Sequence, residues 1–431
     1  MSVASSSSSA TGSLNPTERG GPALTIVLAL LGFSVFINYI DRSNLAVAAS
    51  LLKDELGLSG SQLGILLSAF FWSYGLFQIL SGWLVDRFNV NWVMAGGFLL
   101  WSAATGATGL AHGFTALLVL RLILGVGESV AFPSYSKIMA KYFPGAKRTS
   151  ANSVINAGLA SGPAFGMLLG GVLMSRFGWR LFFVVLGFGS LLWLVPWLRW
   201  MPRGPGLEVE KDHEGAAPTF WDILQRRPVW GTFLGLFCNN YVLYFLIAWL
   251  PFYLVRERHF SMDSMAKIGG AVYLTQAATA AVCGRIADRW LARGATRTRV
   301  HLTFVVAGAL VAGIGLMAAT LVSPLACVGV LILIGVASGM AGSNIWIITQ
   351  TLAGPKASGQ WTGLQCSCSN LSGVIGAALT GWLLDRTGHF YWAFSVAAGI
   401  SFAGILSWLI LVSPVQPVVW AADRRVLTSP S

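Results

Sequence analysis

Apolar stretches of about 20 residues recur along nearly the whole of this chain. A helix needs about 20 predominantly apolar residues to cross the hydrocarbon core of a bilayer. Charged residues make up only 10% of the 431 residues, whereas soluble domains usually carry about 25%. The sequence therefore predicts an all-α integral membrane protein that crosses the bilayer many times.

Hydropathy divides the chain into twelve predicted transmembrane helices, which we number as spans 1 to 12. Their predicted ranges are 23–52, 61–85, 92–112, 115–140, 150–174, 179–200, 229–254, 265–288, 300–322, 325–352, 361–385 and 391–413. Residues 201–228 combine prolines and glycines with a charged run, a composition that is typical of linkers. We therefore predict an N-terminal half of six helices at 23–200, a cytoplasmic linker, and a C-terminal half of six helices at 229–413.

Both ends of the chain are polar. Residues 1–22 lack the basic start and the cleavage site of a signal peptide, so we expect a disordered cytoplasmic tail there and a second cytoplasmic tail at 414–431. Lys and Arg are concentrated in alternate loops, for example at 137–148 and 285–299. This bias predicts a multi-pass protein of the cell's inner (plasma) membrane with both termini in the cytoplasm. It also accounts for the net charge of +12 without nucleic acid as a partner.

The five cysteines all lie within predicted spans and are interpreted as small apolar residues rather than as a disulfide framework. Cys366-Ser367-Cys368 resembles a metal motif, but residues two apart on a helix face nearly opposite directions. We therefore expect neither a metal site nor a cofactor.

One hexapeptide pattern recurs at the ends of four spans. Gly, three further residues, then Asp-Arg closes span 2 at Gly82–Arg87, span 8 at Gly284–Arg289 and span 11 at Gly381–Arg386. Span 5 closes in the same way at Gly171–Arg176, with Ser in place of Asp. Three-helix units repeated within two six-helix halves are the plan of the major facilitator superfamily of transporters.

These Asp-Arg pairs have two interpretations. The first is anchoring at the membrane interface and helix capping. The second, for Asp86-Arg87 and Asp288-Arg289, is a cytoplasmic latch that breaks and reforms as the two halves rock. We favour the latch.

Four ionisable residues lie deep within spans 1 and 4: Asp41, Arg42, Arg121 and Glu128. A charge at the bilayer centre costs roughly 2.5–3.5 kcal/mol on insertion scales. The helix rise of about 1.5 Å per residue places Asp41 and Glu128 near the midplane at similar depth. Such groups point to a pathway for an ion or a charged solute.

Acid and base side by side suggest how transport is coupled. A desolvated carboxylic acid exchanges its proton near neutral pH, and a neighbouring Arg makes that exchange depend on whether an anion occupies the Arg. This is the logic of proton–anion symport. Alternatively, the charges form salt bridges that hold spans 1 and 4 together. Coupling to sodium also remains open.

The predicted C-terminal half offers neutral polar and aromatic groups on spans 7, 10 and 11. Each one alone could serve as interhelical glue, but as a set they are expected to line the other wall of a central cavity. The set includes Asn239, Asn240, Ser343, Trp346, Gln365 and Asn370.

Four segments resemble the anion:cation symporter family of the major facilitator superfamily. They are Asn38 to Ala48 in span 1, Phe71-Trp72-Ser73-Tyr74 with Gln78 and Gly82-Trp83 in span 2, Arg121 to Glu128 followed by Ala131-Phe132-Pro133 in span 4, and Trp249 to Leu254 in span 7. Bacterial members of that family import organic anions, notably sugar acids, with protons.

The resemblance implies roles for individual residues. Asp41 and Glu128 would be the proton-coupling acids. Arg42 would belong to the gating or coupling network, with Arg121 beside Glu128. The substrate site would be lined by Tyr39, Tyr74 and Gln78, with Ser343 and Trp346 opposite.

The sequence departs from the family pattern at two places. Cys366-Ser367 stands where sugar-acid carriers tend to have Asn-Phe, and Leu159 stands in place of a cavity-facing Gln. The loss of two amides favours a less hydroxylated carboxylate, such as an aromatic or short-chain acid.

Three other functions compete with import. Gly158 to Gly166 resembles the glycine-proline motif of proton-driven drug exporters, but buried Arg42 and Arg121 favour an anionic solute. A membrane enzyme would need a paired nucleophile and base, and a sensor would need an output domain. We therefore expect a transporter and not an enzyme, acting as a monomer, whose partners are a small organic anion, protons and the lipid bilayer.

Overall fold

The computed structural model describes residues 21–143, 145–201 and 218–420, and these are almost entirely helical, with no strand among them. The helices of spans 1 to 4 are Gly21–Leu56, Gly60–Arg87, Val90–Thr108, and the pair Phe114–Ser129 and Ala131–Tyr142, which Val130 separates. Spans 5 and 6 are formed by Gly145–Ser190, Leu191–Trp193 and Leu194–Trp200. Span 7, Arg227–Arg256, follows the short helix Phe220–Leu224. Spans 8 and 9 are Met262–Ala292 and Arg297–Leu321. Spans 10 and 11 lie within Pro324–Thr387, and span 12 is Tyr391–Leu406, extended by Ser407–Val412.

Two of these helices contain a sharp reversal at a glycine. Gly178 has φ 78° and divides Gly145–Ser190 into spans 5 and 6. Gly354 has φ 66° and divides Pro324–Thr387 into spans 10 and 11. Positive φ strains residues that carry a Cβ, so glycine lets the chain turn back within one residue. The helices of the described residues are consistent with the twelve spans that hydropathy predicts. Eight helices of the described chain are long and apolar enough to cross a membrane.

The bundle has two ends, which we name by what they carry. The tail face carries residues 24, 201, 218 and 420, and the loop face carries the turns that follow Leu56, Thr108, Arg256, Leu321 and Thr387. A C-terminal segment closes part of the tail face. There, the Val418 amide donates to the Leu352 carbonyl, and the Trp420 indole donates to the Ala353 carbonyl.

The apolar core differs between the two faces. At the loop face one continuous cluster contains side chains from both predicted halves, among them Leu67, Met167, Phe245 and Ala377. At the tail face spans 1–6 and spans 7–12 form separate clusters, represented by Phe98 in one and Ile348 in the other. The two sets of six helices are thus packed together at one end and packed separately at the other.

Polar contacts also join the two sets of helices at the loop face. The Asp385 carboxylate on span 11 accepts hydrogen bonds from the backbone amides of Gly60 and Ser61 at the start of span 2, each at 2.7 Å. Arg256 on span 7 pairs with Asp54 on span 1. The loop face is therefore closed.

Candidate substrate and coupling site

An ion pair near the middle of the bundle joins spans 1 and 4. Arg42 Nε donates to Glu128 Oε2 at 3.1 Å, and the Glu128 side chain is fully buried. Arg42 Nη2 and Glu128 Oε1, both buried, find no hydrogen-bond partner among the described residues. Because an Arg–carboxylate pair can form two parallel bonds, this pair uses only part of its bonding capacity.

Aromatic rings surround Arg42. Its guanidinium carbon lies 4.7 Å from the Tyr39 ring centroid, 4.6 Å from that of Tyr74 and 5.2 Å from that of Phe70. The Phe70 ring stacks on Tyr74 at 5.2 Å. Cation–π contacts of this kind hold a guanidinium in place without occupying its N–H donors. We call Tyr39, Phe70 and Tyr74 the aromatic cage.

The side chains of Asp41 and Arg42 point in different directions. The sequence alone leaves open which neighbouring helix each of them faces. Asp41 is 1% exposed, and its Oδ1 accepts hydrogen bonds from Thr105 Oγ1 on span 3 and from Asn44 Nδ2, each at 3.1 Å. Arg42 instead faces the aromatic cage and Glu128. The acid therefore faces span 3, while the base faces spans 2 and 4.

Arg121 lies near both acids. It is 4% exposed and interacts electrostatically with both Glu128 and Asp41. Its guanidinium carbon also lies 5.5 Å from the Phe70 ring centroid. The four charged residues singled out in the sequence thus form one buried group, in which only Arg42 and Glu128 are directly bonded among the described contacts.

A chain of polar side chains connects this group to the opposite wall. Gln78 Nε2 donates to the Tyr74 hydroxyl at 3.5 Å, and Gln78 Oε1 accepts from Asn370 Nδ2 at 3.4 Å. The Tyr244 hydroxyl donates to Asn370 Oδ1 at 3.3 Å. These distances are long for hydrogen bonds, so a bound solute can easily displace these side-chain contacts.

Further polar groups of spans 7 and 11 lie beside this chain. Asn240 Nδ2 donates to Ser369 Oγ at 3.2 Å and also lies next to Asn239. Cys366 of span 11 lies in the vicinity of Tyr39 and Tyr244.

Other predicted site residues lie elsewhere. Gln365 is fully buried and bonded within spans 7–12, because its Oε1 accepts from Thr349 and its Nε2 donates to the Thr232 carbonyl. Asn239 lines a cavity of about 20 Å³ between spans 7, 9, 10 and 12. Leu159 packs against the apolar cluster of spans 1–6. The hydrogen bonds of Gln365 thus connect span 11 to spans 7 and 10.

The remaining two candidates of span 10 are less constrained. Ser343 Oγ is buried without a hydrogen-bond partner in the described part of the chain. The Trp346 side chain is 37% exposed. Neither has a described contact with the aromatic cage.

The latch residues of the tail face are apart from this site. Arg87, Asp288 and Arg289 are exposed, and the side chain of Asp86 lies outside what the structure describes. The cytoplasmic latch therefore stays a prediction. Within the described ranges, no group of three or more His, Cys, Asp and Glu could hold a metal ion.

Sequence reasoning missed Phe70, Asn44, Thr105 and Tyr135. Phe70 precedes Tyr74 by one helical turn, which was an available signal. Tyr135 accepts a hydrogen bond from Ser34 at 3.0 Å, between spans 4 and 1. Thr105 gave no signal, because its partner Asp41 is 64 residues away in the chain.

The fold and the buried charged group together define a membrane transporter. Residues 31–377 match the sequence model of the Major Facilitator Superfamily, which covers most of the chain. The protein therefore belongs to the major facilitator superfamily, as its repeat predicts, and it is a transporter rather than an enzyme.

The chain is similar to several named relatives over nearly its whole length. It is 29% identical to the hexuronate transporter of Bacillus subtilis (strain 168), covering 93% of this chain and 98% of that protein. It is 30% identical to the chloroplastic ascorbate transporter of Arabidopsis thaliana, covering 89% and 74%. It is 28% identical to the probable sulfoacetate transporter of Cupriavidus necator, covering 90% and 93%.

A solved structure supports the fold. The bacterial homologue of the human lysosomal transporter Spinster, in an inward-facing and occupied conformation, has a TM-score of 0.76 and 19% identity, covering 91% of this chain and 96% of that one.

Proposed function

We propose that this protein imports an organic carboxylate together with protons by alternating access. The observation that carries the proposal is the ion pair between Arg42 and Glu128. This pair makes one of the two hydrogen bonds that it could form, and Arg42 lies within the aromatic cage. A carboxylate that binds Arg42 competes directly with Glu128 for the guanidinium. Since Glu128 is fully buried, losing that partner leaves its charge without a direct ion pair, and a proton neutralises it. Anion binding and proton uptake are thereby linked.

The relatives support an anionic substrate. Their names refer to hexuronate, ascorbate and sulfoacetate, and a further relative in Bacillus subtilis is a probable galactarate/D-glucarate transporter. All of these are small organic acids. In our proposal the aromatic cage and Gln78 bind the body of the solute, and Asn370 and Cys366 contact it from the opposite wall.

Charge distribution supports the proposed orientation, with the tail face in the cytoplasm of the plasma membrane. At the loop face Arg180 pairs with Glu55 and Arg256 pairs with Asp54, whereas Arg176 and Arg386 are exposed. Exposed basic residues are more numerous at the tail face, among them Arg199, Arg285 and Arg289. In this orientation the closed loop face is the extracellular side, so the protein faces inward.

Proteoliposomes with an internal pH dye test the proposal. The probes are a panel of sugar acids, aromatic acids and short dicarboxylates. At least one acid should acidify the lumen with wild-type protein, and Glu128→Gln should abolish that acidification because it removes a site for the proton. Glu257→Gln is the matched control, since Glu257 lies at the loop face.

Two results would contradict import. One is the absence of acidification with every acid. The other is alkalinisation driven by a lipophilic cation, which would identify an exporter.

The glycine-rich stretch that resembles exporters has a packing role here, since a Cβ at Gly158 would lie 2.6 Å from the Gly32 carbonyl oxygen.

A further inference from the structure

We propose that Thr105 and Asn44 are positioning residues that set the pH at which Asp41 exchanges its proton. This inference rests on the proposed proton coupling. Both residues are buried, with exposures of 2% for Thr105 and 1% for Asn44. Each donates a hydrogen bond to the same carboxylate atom, Asp41 Oδ1, at 3.1 Å. No role for either residue follows from the sequence motifs.

The contacts of Asp41 are asymmetric. Its Oδ1 accepts both bonds, whereas its Oδ2 is buried and has no hydrogen-bond partner among residues 21–143, 145–201 and 218–420. Two donors on Oδ1 leave Oδ2 as the atom that takes up a proton. Thr105 and Asn44 thus fix both the orientation of the carboxyl group and the identity of its proton-accepting atom.

Charged groups around Asp41 come from span 4. Glu128 repels the ionised form of Asp41 and Arg121 attracts it. Arg42, the next residue on span 1, is bonded to Glu128 instead. Thr105 is the contribution of span 3, and Asn44 that of span 1. Asp41 therefore has a cation nearby without a direct ion pair in the described contacts, and the two neutral donors supply its direct bonds.

Hydrogen bonds to a carboxylate favour its ionised form. Removing one donor should make Asp41 hold its proton to a more alkaline pH. One such bond corresponds to a shift of about 0.5–1 pH unit. Thr105→Val removes the hydroxyl while keeping the shape of the side chain, so it isolates the bond from the packing.

The test is an infrared titration of the purified protein in liposomes, without any substrate. The C=O stretch of protonated Asp41 is identified as the band that Asp41→Asn removes. We expect the midpoint of that band to move by about 0.5–1 pH unit toward alkaline pH in Thr105→Val. Thr105→Ser, which keeps the hydroxyl, should restore the wild-type midpoint.

Thr108→Val is the matched control. Thr108 lies one turn further along span 3, is 4% exposed, and donates to the Ala104 carbonyl of its own helix. This variant removes the same chemical group without touching Asp41, so its midpoint should equal that of wild type. Should Thr105→Val fail to fold, Asn44→Leu removes the other donor and should show the same alkaline shift.

An unchanged midpoint in Thr105→Val would overturn the proposal, and so would an equal shift in Thr108→Val. Because the titration needs no substrate, its outcome is separate from that of the uptake assay. Loss of lumen acidification with every acid would contradict proton-coupled import, whereas an unchanged midpoint would contradict only the role of Thr105 and Asn44.

Discussion

Arg42 is restrained by its surroundings and yet remains able to bind. Three rings lie 4.6–5.2 Å from its guanidinium carbon, and one carboxylate oxygen accepts from its Nε. The planar guanidinium suits both contacts, because it stacks on rings and presents two donors to a carboxylate. A lysine ammonium at the same place would lose the stacking and the paired donors.

We predict that Arg42→Lys lowers the initial rate of uptake at least about tenfold although the charge is retained, because charge-assisted hydrogen bonds are lost. Uptake of a radiolabelled acid into proteoliposomes measures this effect. Arg199→Lys, at an exposed position of the tail face, is the control and should transport normally. Equal rates in the two variants would remove Arg42 from the binding site.

For an individual residue, the sequence predicts how deep its side chain lies in the membrane but not which neighbouring helix it faces. Helix rise alone predicts that Asp41 and Glu128 lie at similar depth, and the structure brings them into one buried group. The facing of Asp41 toward Thr105 depends on how spans 1 and 3 are rotated against each other. That rotation is set by packing between residues 64 positions apart, which no local pattern records.

Among the helices, spans 1 and 5 approach each other through glycines. A Cβ at Gly162 would lie 2.4 Å from Tyr39 Cβ, and a Cβ at Gly166 would lie 2.4 Å from Ser43 Oγ. Small residues at four-residue spacing allow such close packing of membrane helices. The stretch that resembles an exporter motif therefore positions span 1, including Tyr39 of the aromatic cage.

We predict that Gly162→Leu destabilises the protein and lowers uptake, because the added side chain has no room between the two spans. Overpacking of this kind typically costs about 1–3 kcal/mol. A lower thermal midpoint in detergent would reveal it. Gly189→Leu is the matched control on span 6, since nothing lies within 4 Å of a Cβ there. Equal midpoints for the two variants would contradict the packing role.

For the whole molecule, the difference between the cores of the two faces fits the proposed alternating access. The cluster at the loop face, shared by both sets of six helices, must separate when that face opens. The separate clusters at the tail face can then approach each other. Hydropathy and the repeated hexapeptide predict the twelve helices and their pairing, since both are properties of local sequence. Which face is closed depends on contacts between distant segments, such as Asp385 with Gly60, and the sequence alone does not reveal them.

We predict that Asp385→Asn shifts the protein toward the state that is open at the loop face. The carboxylate stabilises the closed state through charge-assisted bonds to the start of span 2 and through the helix dipole. A cysteine at Ala377, in a background without native cysteines, should react with an impermeant maleimide at least about threefold faster in Asp385→Asn.

Asp263→Asn is the control for this measurement. Asp263 is also an acid at the loop face, but it lies in the first turn of its own helix and pairs with Lys267 of the same span. Its replacement should leave the maleimide rate unchanged. Equal acceleration in both variants would show that loss of charge alone opens the face.

The contact between Asp385 and span 2 also has a consequence for which residues can be replaced: the positions that form it should differ in how many substitutions they tolerate. Its donors are backbone amides, which every residue except proline provides, so Ser61 is free to vary. Gly60 is not, because a Cβ there would lie 2.6 Å from Asp385 Oδ1. Random mutagenesis should therefore recover many functional substitutions at position 61, while positions 60 and 385 tolerate few.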